Sequence, residues 1–170
     1  MNTFVVSLDP EEAATMLCDK HQSKMIVESL QMCGSAVIRH GATPDMMPIT
    51  QKGTYLKGGY HNHPNSRHAG DTRANYQWLI RHGLALASEY TKRYGKVHFS
   101  EAGLKHLSAM DKLIPEGQLT PFPQSMPDEY RDEDVVVAYR KYYHTKTFAK
   151  WDKGTPAPDW WLGIMNEAHL

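Results

Sequence analysis

Asp9-Pro10-Glu11-Glu12 opens, and Gly34 closes, a stretch whose apolar residues recur at helical spacing, and two ionisable side chains sit inside its apolar stripe. Asp9 serves as an N-cap, Pro10 suits the first helical position, Glu12 stands at the third, and a glycine follows the last periodic residue, which together predict one helix over 10–33. At about 100° per residue, Ala14, Leu17, Cys18, His21, Met25, Glu28 and Met32 share one face. Whatever buries Met25 therefore desolvates Glu28, and a buried carboxylate must find a partner or shift its pKa. His21 and Glu28 are thus either core residues bonded to neighbouring helices or the members of a site, with Lys24 one turn from each.

The same rules carry along the chain. Asp71 or Thr72 caps a second long helix to about Tyr94, with Leu79, Gly83, Leu86, Tyr90 and Tyr94 at three-and-four spacing and Gly95 as its stop. Ser100 and Glu101 begin a shorter helix to about Lys112, and Asp132 or Glu133 starts another over Val135 to His144. The prolines at 115, 121, 123 and 127 make 114–127 a rigid non-helical connector. Residues 41–66, with Gly41, Gly53, Gly58, Gly59, Pro44, Pro48 and Pro64, read as a long ordered loop, a length that usually serves function or disorder. Thr3 to Leu8 is short enough for a strand, yet nothing nearby pairs with it, and an extended arm on the helices fits equally. The expectation is an all-α chain, a single compact helical domain over 1–170 with long ordered loops and a packed tail from 152 to 170, in which Asp159 caps a turn holding Trp160 and Trp161.

A chain of 170 residues suits one core. No apolar run reaches the length of a membrane span and no signal-peptide pattern opens the chain, so no membrane partner and a cytoplasmic setting are expected. Cys18 and Cys33 lie too far apart on one helix to bridge and read as reduced packing residues. Net charge is zero, but the charges are segregated: Arg39 to His98 holds nine Lys or Arg against Asp45, Asp71 and Glu89. One face can then be strongly positive while the whole is neutral, which suits a phosphate-bearing partner as well as plain solvation.

Three clusters could carry chemistry. His21, Lys24 and Glu28 could supply a general base, or a carboxylate to stabilise a cation. His61-Asn62-His63-Pro64-Asn65-Ser66-Arg67-His68, followed by Arg73, Asn75, Tyr76 and Trp78, lacks a partner carboxylate at metal-motif spacing, so no metal is assigned. Arg67, Arg73 and Asn75 near a helix start suit phosphate better. In Tyr139 to Trp151 cations interleave with aromatics, as a nucleic-acid groove requires, although Tyr139 and Tyr143 also fit the inward face of a helix. Phosphate-cradling glycine loops, dinucleotide fingerprints, serine elbows and reactive-cysteine signatures are absent, and no cofactor is expected.

On these residues the chain resembles a family of small, mostly phage-encoded proteins related to the pyrimidine-dimer DNA glycosylases of the T-even phage endonuclease V type. Asp19, His21 and Glu28 stand at the Asp-x-His-x6-Glu spacing found there, Arg140 to Trp151 is similar in character to the family's DNA-contacting C-terminal end, and 41–125 is closer to phage relatives of unassigned role. The resemblance implies a compact helical fold and base removal in which an N-terminal amine attacks the sugar C1′, with the glutamate, Glu28 here, assisting. The chain departs from the pattern at its start, where Met1 is followed by Asn2 and not by the small residue that favours methionine removal.

The expected function is a phage-type DNA-acting enzyme that engages a damaged or modified pyrimidine, glycosylase-like, with Glu28 as the catalytic carboxylate, His21 as its proton or hydrogen-bond partner and Lys24 beside them. Arg67, Arg73, Asn75, Arg140 and Lys146 would hold phosphates of DNA or a nucleotide, and Tyr76, Trp78 or Tyr143 would stack on an extruded base. A transferase adding a group such as an amino acid to an activated pyrimidine in hypermodified phage DNA, and a non-catalytic nucleic-acid or nucleotide binder, are the alternatives. A phage-encoded chain would work in the host cell's cytoplasm.

Overall fold

The computed structural model describes residues 1–164. Six α-helices carry it: α1 (Pro10–Met16), α2 (Asp19–Arg39), α3 (Pro64–Asp71), α4 (Arg73–Tyr94), α5 (Glu101–Ser108) and α6 (Val135–Tyr143). No strand forms among the described residues beyond one isolated bridge, Ile49 to Tyr55, so the all-α expectation holds. None of these helices is long and apolar enough to cross a membrane. The two long helices, α2 and α4, pack on each other at the centre, with α3 and α5 against both and α1 against α4.

The helix expected over 10–33 is two helices. Asp9 caps the first as expected, its carboxylate accepting from the Glu11 and Glu12 amides, but the chain turns extended at Leu17 and Cys18. The break is stabilised from a distance, because the carbonyls it frees are taken by side chains. Gln22 Nε2 donates to Ala14 and Leu17, Arg93 to Thr15 and Leu17, and Trp151 Nε1 to Met16. Gly34 does not end α2, which runs on to Arg39. Its missing Cβ admits Leu56 and the Gly58 backbone, which would stand 2.8 and 3.3 Å from such an atom.

Elsewhere the end signals agree with the structure more closely. Thr72 Oγ1 accepts from the Asn75 amide at the head of α4, and Gly95 closes it at φ 73°. The expected 100–112 helix resolves into α5 and a 3-10 turn over Asp111–Leu113, and 114–127 is free of α-helix. Asp134 takes the capping role ahead of α6 expected of Asp132 or Glu133. Residues 2–7 form a buried arm, not a strand. Of the packed tail expected over 152–170, the described part turns at Trp161, whose amide donates to Pro158, and its tryptophans pack on Tyr143 and His144; residues 165–170 lie outside the described residues.

Candidate active site

Glu28 lies mid-way along α2 and is 9% exposed, the buried carboxylate that the stripe requires. Its partner comes from the start of the chain. The Met1 amine nitrogen stands 3.3 Å from Oε1, and the Asn2 amide donates to the same oxygen at 3.2 Å. Oε2 is buried with no hydrogen-bond partner among the described residues, so half of the carboxylate remains uncommitted in a desolvated position.

A polar network fixes the arm there. Asn2 Nδ2 donates to the Ser125 carbonyl at 2.9 Å, and Asn2 Oδ1 accepts from the Thr3 amide. Asn65 of α3 sits against Asn2 and accepts from Ser125 Oγ, while Tyr139 Oη accepts from the Ser125 amide and donates to Pro123. Phe4 then turns the chain in left-handed backbone, φ 59°, a conformation a bulky residue adopts only when its surroundings impose it.

His63 completes the constellation. It caps α3, with Nδ1 accepting from the Asn65 amide at 3.1 Å, which leaves the proton of the neutral ring on Nε2. Burial lowers its pKa, the Met1 ammonium lowers it further, and Glu28 opposes both, so amine, carboxylate and imidazole act on one another. Sequence reasoning had singled out the His61 to His68 segment for its histidine density, and its link to Glu28 is tertiary. No group of three or more histidine, cysteine or acidic side chains poised for a metal occurs among the described residues.

His21 shares the helix face of Glu28 but receives another partner. Tyr143 Oη accepts from the Cys18 amide and bonds His21 Nδ1, each at 2.8 Å, while the ring stacks on Phe4 and meets Phe148 edge-on. Burial first, then Lys146, Lys24 and Lys20, push its pKa down to about 3, so it is neutral near pH 7. Two turns of helix, about 10 Å, part the two residues along the axis, and the pairing expected between them is not made. Lys24 is exposed.

The expected phosphate and stacking residues divide. Arg67 is exposed and its guanidinium has no partner among the described residues, so it can meet a phosphate. Arg73 is instead committed to the carbonyls of Asp111, Lys112 and Ile114 and to Glu116, and Asn75 to His68 and Thr120. Arg140 Nε donates to Val6, and Lys146 lies over the Tyr142 ring at 4.0 Å. Tyr76, Trp78 and Tyr143 are buried, their polar atoms bonded to Leu107, Leu8 and Cys18, and they offer no ring face to a base.

Beside the α2 face that bears Glu28 runs a groove of about 430 Å³, lined by Val27, Gln31, Lys52, Tyr55, Lys57 and Phe99 among others. Its lysines belong to the basic stretch read from the sequence, and Tyr55 and Phe99 are 45% and 58% exposed. Lys52 and Lys57 thus give this groove a positive character with open aromatic faces.

Residues 1–101 match the model of the family described as pyrimidine dimer DNA glycosylase. Neither a curated protein nor a solved structure matches the chain.

Proposed function

The chain belongs to the pyrimidine dimer DNA glycosylase family, and from that premise we propose that it removes a damaged or modified pyrimidine from DNA, with the amine that starts the chain as nucleophile and Glu28 as its proton acceptor. One observation carries this reading: a terminal amine held 3.3 Å from a buried carboxylate whose second oxygen is unpaired. If Met1 is retained the amine is its own. If Met1 is removed, the amine becomes that of Asn2, whose nitrogen stands 3.2 Å from the same oxygen, so either start places a primary amine on Glu28.

The chemistry follows from that pair. An ammonium has no lone pair, so it first passes a proton to the carboxylate, and the free amine then forms a bond to C1′ of the sugar. The C1′–N1 bond breaks with its electron pair going to the pyrimidine, which leaves protonated. Loss of the second amine proton and opening of the C1′–O4′ bond, with O4′ taking a proton, give a protonated imine. Glu28, close to the nitrogen throughout, accepts and returns these protons and stabilises the cationic intermediate. His63, whose neutral ring carries its proton on Nε2, would be a second donor.

Access requires the target nucleotide to leave the duplex, at a cost of a few kcal/mol that is smaller for a damaged pair. Arg67, Lys52 and Lys57 would hold the backbone, with binding that falls steeply with salt.

The test is incubation of the protein with single- and double-stranded oligonucleotides carrying a thymine dimer, 5-hydroxymethyluracil or plain thymine, with borohydride present. A reduced adduct, whose fragment masses place it on residue 1 or 2, is expected, and Glu28→Gln should lower its formation at least about a hundredfold while unfolding free energy stays within about 1 kcal/mol. Neither adduct nor abasic site on any substrate refutes the reading, and a heavier base in the recovered DNA would transfer it to group addition.

A further inference from the structure

Tyr139 of α6 is buried, yet both roles of its hydroxyl are taken. Oη accepts from the Ser125 amide at 3.2 Å and donates to the Pro123 carbonyl at 2.9 Å. Burial raises the pKa of the phenol above its ordinary value, so the proton that makes the second bond stays in place. Phenylalanine would fill the same space without a polar atom to desolvate, and packing alone therefore does not call for the hydroxyl. What the hydroxyl fixes is the 123–125 backbone, in a connector already stiffened by Pro121, Pro123 and Pro127.

Ser125 passes that position on in two directions. Its carbonyl accepts from Asn2 Nδ2 at 2.9 Å, and its Oγ donates to Asn65 Oδ1 at 3.1 Å. Asn2 adjoins the amine, and its own amide donates to Glu28 Oε1 at 3.2 Å. The Asn65 amide donates to Nδ1 of His63 at 3.1 Å. One hydroxyl thus bears, through one residue, on the segment that carries the amine and on the segment that carries the imidazole. Asn2 and Asn65 are both buried, so water is no ready substitute for these bonds, and a buried network that is paired in this way defines one geometry. Ser125 and Tyr139 both stand beyond residue 101, where the match to the family model ends.

We propose that Tyr139 is a positioning residue for the reaction: its hydroxyl, acting through Ser125 and Asn2, holds the terminal amine against Glu28. This rests on the function proposed above and deepens it by assigning the placement of the nucleophile to a side chain that touches neither the amine nor the carboxylate. A displacement of about 1 Å in a reacting group is enough to cost about a hundredfold in rate, so a bond three residues removed from the chemistry can matter to it.

Tyr139→Phe removes the hydroxyl and keeps the ring. With borohydride and a single-stranded oligonucleotide carrying a preformed abasic site, whose aldehyde the amine meets directly, the adduct on residue 1 or 2 should form about tenfold or more slowly. Half-saturation with DNA should stay within about twofold of the parent. Asn2→Leu keeps a branched side chain without its hydrogen-bonding groups and should lose as much. Adding Tyr139→Phe to it should change the rate by less than about twofold, because the path is already cut. Without DNA, the Thr3 amide, which donates to Asn2 Oδ1 at 2.8 Å, should exchange its hydrogen faster in Tyr139→Phe, while amides mid-way along α2 and α4 follow global stability alone. An adduct rate within about twofold of the parent, a matching loss of DNA affinity, losses that multiply in the double variant, or faster exchange equal in arm and helices overturns the role. A parent that forms no adduct overturns the function proposed above instead, and the exchange measurement still decides whether the hydroxyl holds the arm.

Discussion

Replacing His21 by phenylalanine should remove a pH-dependent loss of stability without touching the reacting groups. In the unfolded chain a histidine titrates near 6.5, whereas in the fold His21 titrates at about 3, because burial and three nearby lysines disfavour the imidazolium. Between those values the unfolded chain binds a proton that the folded chain refuses, so stability falls as pH drops below 6.5 and stops falling below about 3. From pH 7.5 to pH 5 the loss assigned to His21 is about 2 kcal/mol, at 1.36 kcal/mol per unit. Phenylalanine keeps the stack on Phe4 and the contact with Phe148 but leaves the Tyr143 hydroxyl proton without its acceptor, an offset of about 1–3 kcal/mol that is the same at both pH values. Urea unfolding of parent and variant at pH 7.5 and 5 gives the double difference, in which the contributions of the other histidines with lowered pKa, His63, His68, His82 and His98, cancel. Equal pH dependence in the two proteins would refute the argument and return His21 to the list of proton carriers.

Four further outcomes follow from the same contacts. Ser35→Ala removes both bonds to Gly59 and should cost about 2 kcal/mol in chemical unfolding. Arg93→Met leaves Asp19 and Glu89 buried without their guanidinium and should cost about 3–5 kcal/mol by the same measurement. A Gly-Ser extension ahead of Met1 should abolish the borohydride adduct, and proteolytic return to a start at Met1 should restore it. Arg67→Ala should flatten the salt dependence of DNA binding by about one unit of log–log slope, whereas Arg140→Ala should lower turnover and leave that slope unchanged.

The helix ends were legible wherever the signal is local. Asp9, Thr72 and Gly95 act within four residues of themselves; Asp9 and Gly95 were read outright, and Thr72 as one of two candidates with Asp71. The break at Leu17 was not, because two of the three groups that satisfy its carbonyls, Arg93 and Trp151, lie more than seventy positions away in sequence and only Gln22 is near. Gly34 was misread for a related reason: glycine marks both a helix stop and a close approach, and only Leu56 and Gly58 decide between them. At the site, a carboxylate on an apolar stripe was enough to single out Glu28. Its pairing with His21 followed from their shared face, but a shared face does not join residues two turns apart. The true neighbours, Met1, Asn2 and His63, arrive from other segments and leave no spacing on α2.

The terminus of a chain is ordinarily its least ordered part, so an amine used as a nucleophile must be immobilised by something. Here the anchors are the residues whose composition suggested a DNA groove. Phe4 stacks on His21 and meets Tyr143 edge-on, Arg140 holds the Val6 carbonyl, Trp78 holds that of Leu8, and Lys146 lies over Tyr142 and Phe4. Cations interleaved with aromatics fit a nucleic acid, and they fit equally well a buried arm whose carbonyls need donors and whose ring needs a cage. A donor spent on a carbonyl is unavailable to a phosphate, and a ring at the centre of a cage is unavailable to a base. On the proposed reading, contact with DNA would fall to groups whose ends remain open, such as the exposed Arg67, Lys24, Lys52 and Lys57. On the proposed mechanism the C-terminal aromatic segment would act on catalysis through the position of residue 1, so its substitutions should alter turnover before they alter affinity.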